Sequence, residues 1–499
     1  MKPIALYLVG TLLGLGGVVW TQLAGAEEKS APLALFGGTV SRNLVNLTDK
    51  NIPDDFVVRP KGKEKHVKWV AALGSKAYGG PVIAGGRIYV GTNNDKPRDP
   101  KVTGDRGVLM CFNEADGKFL WQITHEKLED GELNDYPKEG LLSTPCVQGD
   151  RLWYVSNRCE LVCADAIEGK IIWSLDMVKE LGVFPCQASN CSPLVVGDLV
   201  YAVTSNGVNV STNKLPAPKA PSLVAVNKKT GQLVWSNNLP GAKVLRGQWT
   251  NPTAATVDGK TQILYGGGDG WMYGLDASTG ELLWKFDCNP KKAKPYKPGG
   301  GGERSFFIAT PVVVDNRCYI AVGQEPDDGP GVGHLWCIDI SKKPANKERD
   351  LSAVDDNFDP KAAVNKDSGL VWHYGGPMPP GQNADRDYVF GRTMSTVAVH
   401  DGIVYAPELA GYLHAVDAVT GKKLWEYDFQ ESTWCSAYYV DGKVFVGTDA
   451  GDLYIFKAGR TFSEPKKISI GQPVKVPPVA SGGVLYVNSG TNLYAIARP

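Results

Sequence analysis

The chain has 499 residues, 43% of them hydrophobic, with 58 glycines and 33 prolines; that composition excludes wholesale disorder and points to a turn-rich globular body with material for a sizeable core. Lysine plus arginine balances aspartate plus glutamate at 53 each. No net field therefore draws the protein to nucleic acid or to an anionic membrane surface, and a neutral ligand or a protein partner is the better expectation.

Lys2, an apolar run from Pro3 to Trp20 and the small residues Ala24, Gly25 and Ala26 have the three parts of a signal peptide. Cleavage is expected after Ala26, leaving an exported, periplasmic or secreted body with no transmembrane segment. The alternative is an uncleaved anchor, because the uncharged stretch from Pro3 to Ala26 is nearly long enough to span a bilayer. No cysteine precedes Cys111, which argues against a lipid-attached N-terminus. Residues 27–66 read as an extension and residues 67–499 as the body.

Within the body one unit recurs: paired strands, a strand ending in a polar turn, and a tryptophan. The clearest copies are Asp116–Trp121, Ala164–Trp173, Asn227–Trp235, Asp276–Trp284 and Asp417–Trp425, with a weaker copy ending at Trp372. Ahead of each turn lie alternating apolar runs such as GRIYVGT and GKVFVGTDAGDLYIF, which read as antiparallel hairpins. A glycine in the turn supplies the positive φ that a tight connection needs.

Each unit supplies about four short strands, too few to bury both faces alone, so the units must stack around a ring. Unit starts fall at Pro81, Pro145, Pro193, Pro252, Pro311, Thr396, Ala437 and Pro478, which makes eight. The last unit stops after three strands, while Val67–Leu73 is a strand with no hairpin before it. The two ends are expected to share a blade, which closes an all-β, eight-bladed β-propeller of four-stranded antiparallel blades and leaves no open edge. One tryptophan per unit at a fixed place reads as a packing residue between neighbouring blades rather than as a ligand site.

The cysteines give less. Ten occur; Cys159 and Cys163 are about 13 Å apart at strand rise, too far to bond to each other. Cys186 and Cys191 flank the loop QASN and either close a small ring or stand as buried thiols.

The D-A-x-T-G-x-x-x-W pattern after a strand pair resembles the tryptophan-docking repeat of quinoprotein-alcohol-dehydrogenase-like propellers, over about Val67 to Pro499. The segments FGGTVSRNLVN, GGGDGWMYGLD and GVGHLWCID also resemble secreted propellers of environmental bacteria, planctomycetes especially, to which no activity attaches. The resemblance implies the fold firmly. For activity it implies either a dehydrogenase using pyrroloquinoline quinone and Ca²⁺ or a cofactor-free scaffold like the outer-membrane-protein assembly factor.

In such dehydrogenases the quinone lies in the central funnel between a tryptophan and a disulfide of adjacent cysteines, with Ca²⁺ on Glu and Asn and an Asp as base. This chain has no Cys-Cys pair. Where the metal-binding asparagine belongs it reads GQEPDDGPGVG from Gly323, leaving Glu325, Asp327 and Asp328 as candidate cation ligands beside the plainer reading of a solvated turn. Asp385 and Asp387 stand at a place comparable to the base, without its motif. By the same analogy, loops entering the first strands line the funnel with Arg246, Trp249, Arg304, Phe306, Arg392 and Trp434. Arginine beside aromatic residues suits a planar or anionic group, or else simply plugs the channel.

The basic, glycine-rich stretch from Lys291 to Arg304 is expected to be a flexible surface loop or lid, and the polar stretch from Ser341 to Ser368 to lie on the periphery. No C-x-x-C-H, G-x-S-x-G or H-E-x-x-H sequence occurs, which removes a covalent haem domain and the common hydrolase signatures. The expected function is a non-enzymatic binding or scaffold propeller for a protein or polymer partner, with no cofactor. The alternative is a divergent quinoprotein alcohol dehydrogenase using pyrroloquinoline quinone and Ca²⁺.

Overall fold

Apolar-polar alternation between close-set turns produces short antiparallel strands that assemble into eight sheets in the computed structural model, which describes residues 31–382 and 386–499. The signal-like stretch 1–26 and Asp385 lie outside the described residues. The first strands of the sheets are Val82–Ala84 (blade 1), Cys146–Gln148 (blade 2), Leu194–Val196 (blade 3), Thr253–Val257 (blade 4), Val312–Val314 (blade 5), Ala398–His400 (blade 6), Tyr438–Val440 (blade 7) and Val479–Ser481 (blade 8). In each blade the next strands pair outward in chain order. In blade 8 the outermost strand is Val67–Ala72, antiparallel to Asn492–Ile496, so the two ends of the body close the ring as read from the sequence.

The core lies between sheets. Tyr89, Leu109 and Cys111 of blade 1 pack on Leu152, Tyr154 and Val162 of blade 2, all at most 2% exposed. The repeated tryptophans lock one blade to the next through the rim: Trp121 Nε1 donates to Ile167 O at 2.9 Å and Trp235 Nε1 to Ala277 O at 3.0 Å, each across a blade boundary. The turn glycine of the next blade lies flat on the ring, and a Cβ on Gly280 would stand 2.5 Å from Trp235. Trp69, on the closing strand, makes the same bond to Glu114 O at 3.1 Å. Trp284 departs from the pattern: its Nε1 donates to Gln262 Oε1 of its own blade at 2.7 Å, although the ring still packs with Cys318 and Ile320 of blade 5.

The stretch from Ser341 to Ser368 lies on the periphery, as expected, and covers the outer strand of blade 4, where Leu351 N donates to Lys285 O and Leu351 is fully buried. The stretch from Lys291 to Arg304 is held down rather than free, because Gly299 N and Gly300 N both donate to the Asp328 carboxylate. Among the described residues the one α-helix is Met177–Leu181, capped by the Asp176 side chain at its start and by left-handed Gly182 at its end.

The sequence offered no place for the extension, and the structure puts it inside the ring. Leu33–Ala34 pairs with the first strand of blade 2, and Val45–Asn46 runs parallel to that of blade 7. Between them the chain passes the inner strands of blades 4 to 7 in order. Ala254 N of blade 4 donates to Val40 O, Val313 N of blade 5 to Ser41 O, and Tyr439 N of blade 7 to Leu44 O. Val399 of blade 6 exchanges two bonds with the Asn43 amide. Arg42, fully buried, reaches four carbonyls, those of Phe36, Ser192, Pro193 and Pro252. Inner strands present unpaired main-chain groups to the axis, and the extension satisfies most of them.

Candidate functional site

Residues just before the first strands converge on the axis. One cavity of about 190 Å³ is lined by Gly80, Thr144, Ser192, Asn251, Thr310, Thr396, Ser436 and Pro477, one position from every blade. These small polar residues form a hydrogen-bonded belt: Gly80 N to Thr144 Oγ1, Thr144 N to Ser192 Oγ, Ser192 N to Asn251 Oδ1, Asn251 Nδ2 to Thr310 Oγ1, Thr310 N to Thr396 Oγ1 and Thr396 N to Ser436 Oγ. The belt carries main-chain and side-chain polarity around the axis and stops at blade 8, where proline stands in the polar place. The repeated Thr-Pro, Ser-Pro and Asn-Pro pairs at the unit starts were the sequence signal for it, and the sequence reading used only their prolines.

Above the belt the cavity is walled by Tyr78, Trp249, Met394, Trp434 and Lys475, and its floor is Phe36 from the extension. Tyr78 and Trp434 stack with ring centroids 6.0 Å apart, and Lys475 Nζ sits 3.3 Å from the Trp434 ring centroid. Burial lowers the Lys475 pKa from its ordinary value. Glu139 is tied to Lys76 at 2.5 Å.

Of the six residues placed in the funnel by analogy, Trp249 and Trp434 line the cavity. Phe306 packs beneath Trp249, with centroids 5.8 Å apart. Arg246 is paired with Glu325 at 2.6 Å, both less than a tenth exposed. Arg304 pairs with Asp287 at 3.0 Å, away from the cavity. Arg392, also buried, is capped by carbonyls, Asp328 O at 3.1 Å and Gly302 O at 2.9 Å.

The three acidic candidates do not converge on one point. Glu325 is neutralised by Arg246, though burial still raises its pKa, and Asp328 accepts from the two glycine amides and from Tyr296 Oη at 3.1 Å. Asp327 is exposed on the turn, and Asp387 is exposed as well. Among the described residues no group of three His, Cys, Asp or Glu is arranged to hold a metal ion. The cysteines are free and buried; Cys186 lies under Trp249 and Cys191 in the core between blades 2 and 3, so the small ring between them does not form. Burial pushes the Cys186 thiol up to about 12.

A tricyclic quinone with its cation does not fit this arrangement. Small-molecule sites occupy about 300–1,000 Å³, whereas this cavity holds about 190 Å³. Glu139, the carboxylate in its wall, is committed to Lys76, Glu325 outside the lining is committed to Arg246, and no adjacent-cysteine disulfide faces Trp249.

Eight four-stranded blades locked by tryptophan docking around a plugged axis define a propeller of the pyrroloquinoline-quinone-repeat class. The chain belongs to the family described as outer membrane protein assembly factor BamB, which matches residues 105–285, 219–342 and 361–498. It is 26% identical over 335 residues to quinohemoprotein alcohol dehydrogenase ADH IIB of Pseudomonas putida, a match covering 59% of this chain and 42% of that enzyme. The chain thus spans less than half the length of this dehydrogenase relative. It is 20% identical over 367 residues to outer membrane protein assembly factor BamB of Yersinia pestis, covering 70% of this chain and 80% of that protein. The solved quinohemoprotein alcohol dehydrogenase ADHIIG of Pseudomonas putida HK5 superposes with a TM-score of 0.57 at 14% identity, covering 94% of this chain and 81% of that one. Likeness at that identity bears on the fold alone.

Proposed function

We propose that this protein is an exported, non-enzymatic propeller that presents its faces to a protein or polymer partner. The observation that carries this reading is the plugged axis: Phe36 floors a cavity of about 190 Å³ in the central funnel, where the resemblance to quinoprotein dehydrogenases would place a quinone. The buried charges beside it are paired with each other, as a structural network requires and a cation site does not. A relative named as an outer membrane protein assembly factor supports both the scaffold role and the exported setting. Among the described residues no helix is long and apolar enough to cross a membrane.

The second reading, a divergent alcohol dehydrogenase using pyrroloquinoline quinone and Ca²⁺, is favoured by the names of the dehydrogenase relatives. It requires Glu325 to leave Arg246 and Phe36 to leave the axis. The discriminating experiment is a titration of the mature protein with pyrroloquinoline quinone and Ca²⁺, read by calorimetry and thermal unfolding. A ligand at one hundred times its Kd stabilises by about 2.7 kcal/mol. The scaffold reading expects no heat and no shift, whereas a saturable, Ca²⁺-dependent rise in Tm overturns it and makes Asp385 and Asp387 the first residues to vary in alcohol assays.

A further inference from the structure

A second cavity, of about 510 Å³, lies beside the extension in the half of the channel that carries the turns after the first strands. Its walls are Leu33, Leu35 and Val45 of the extension, Val82 and Ile83 of blade 1, and Val479 and Ala480 of blade 8; Phe36 separates it from the axial cavity above. Gly38, Thr39, Leu47 and Thr48 at its mouth are exposed.

The cavity exists because the extension is an incomplete ring. The second residue of each first strand turns its N–H toward the axis, and in blades 4, 5, 6 and 7 those groups, Ala254, Val313, Val399 and Tyr439, donate to the extension. Blade 2 is bridged by Leu33–Ala34, in blade 3 Val195 N is taken by the Cys146 sulfur, and in blade 8 Ala480 N is taken by Tyr438 Oη. Ile83 holds the same place in blade 1. Ala84 and Arg87 close its tight turn, so by antiparallel register Ile83 points its N–H and C=O at the cavity, and no group of the extension meets them among the described residues. The belt above is interrupted on this side too, at Pro477.

We infer that this cavity is a docking site for an extended, apolar peptide segment of a partner protein, which adds as a strand to Val82–Ala84; the inference rests on the scaffold reading above. The occupant's chemistry follows from the neighbours. An extended chain carrying Leu35, Leu44 and Val45 already covers the equivalent edges, and the remaining edge offers the same main-chain pair beside the same kind of apolar wall. Val82–Ala84 is three residues, about 10 Å at strand rise, matching a core of three or four residues. Strand addition would give affinity through the main chain and selectivity through alternate side chains.

The test is calorimetry of the full mature protein with the peptide KVLVVK, acetylated and amidated, against the same peptide N-methylated at its leucine. Methylation removes one donor and keeps every side chain, and it is expected to weaken binding about tenfold. Leu47→Asp, at a mouth residue 57% exposed, places a charge at the entrance with no cost to the core and is expected to weaken binding while leaving Tm unchanged. No binding at millimolar peptide, or equal binding of the methylated peptide, overturns the inference. So does saturable binding of laurate that displaces the peptide, which would make the cavity an acyl-chain site. A failed peptide titration leaves a negative quinone titration standing, so the two readings fail separately.

Discussion

Arg42→Met tests whether the extension is a structural part of the ring. Arg42 is fully buried, and its guanidinium donates to Ser192 O at 2.8 Å, Phe36 O at 2.9 Å, and Pro193 O and Pro252 O at 3.0 Å. Among the described residues no carboxylate pairs with it, and burial lowers its pKa to about 10. Methionine fills a similar volume but leaves four carbonyls without a donor, each costing about 1–3 kcal/mol. Against that, the variant no longer strips a cation of water, which returns several kcal/mol. The balance is a loss of about 3 kcal/mol. For the unit Pro32–Pro499 an unfolding entropy near 2.1 cal/mol/K per residue makes about 1 kcal/mol/K, so Tm should fall by about 3 °C. Hydrogen exchange should accelerate at Ala254 and Val313, whose amides donate to Val40 and Ser41, the two residues just before Arg42. A Tm within half a degree of the parent together with unchanged exchange at those amides would refute the claim that Arg42 holds the extension to the ring.

Gly280→Ala puts a Cβ 2.5 Å from Trp235 at a φ of +72° and should cost about 3 kcal/mol in urea unfolding, from left-handed strain plus overpacking; Trp235→Phe, which loses the 3.0 Å bond to Ala277 O, should cost about 1–2 kcal/mol. Glu325→Gln strands the Arg246 cation and should cost about 3–5 kcal/mol, with the same loss in Tm whether or not Ca²⁺ is present. His334 and His373 of blade 5 share a partly buried 2.8 Å hydrogen bond, and Phe358 from the peripheral stretch packs on His373 with centroids 4.4 Å apart. Burial holds the His334 pKa at about 4 and that of His373 well below 6.5, with Asp356 opposing the shift at His334. The unfolded chain therefore binds more protons as pH falls below about 6.5, so their contribution to stability is present above that pH and lost on the way down to about 4. Limited proteolysis within residues 341–368 should quicken over that range, and His373→Phe should flatten the dependence.

The repeat made the ring legible because each blade carries its own local signals, an apolar alternation, a turn and a tryptophan, and ring closure follows from a leftover strand at one end and a missing one at the other. What lay beyond reach depends on pairs far apart in the chain. Arg246 and Glu325 are separated by a whole blade, and nothing in GQEPDDGPGVG tells a cation ligand from an ion-pair partner. The extension has no strand periodicity to betray it: FGGTVSRNLVN is bound mainly through main-chain groups and one arginine, whose partners are carbonyls that every residue possesses. Trp284 carries the docking pattern, yet its indole turns to Gln262, an acceptor two strands away in its own blade that the docking pattern does not include.

The route of the extension also orders events in time. Residues 33–49 are made before any blade, but their partners arrive one blade after another up to Ala480 and Gly483, and Val67–Ala72 waits for Asn492–Ile496. Until the last blade exists, the earliest segment has nowhere to seat and the first blade has an open flank. Assembly is thus delayed until blade 8 has been made, with loop closures spanning more than 400 residues and a correspondingly slow search. A chain truncated before blade 8 would not be a slightly smaller propeller but an unsealed one, with a loose leading strand available to any neighbour that offers an edge.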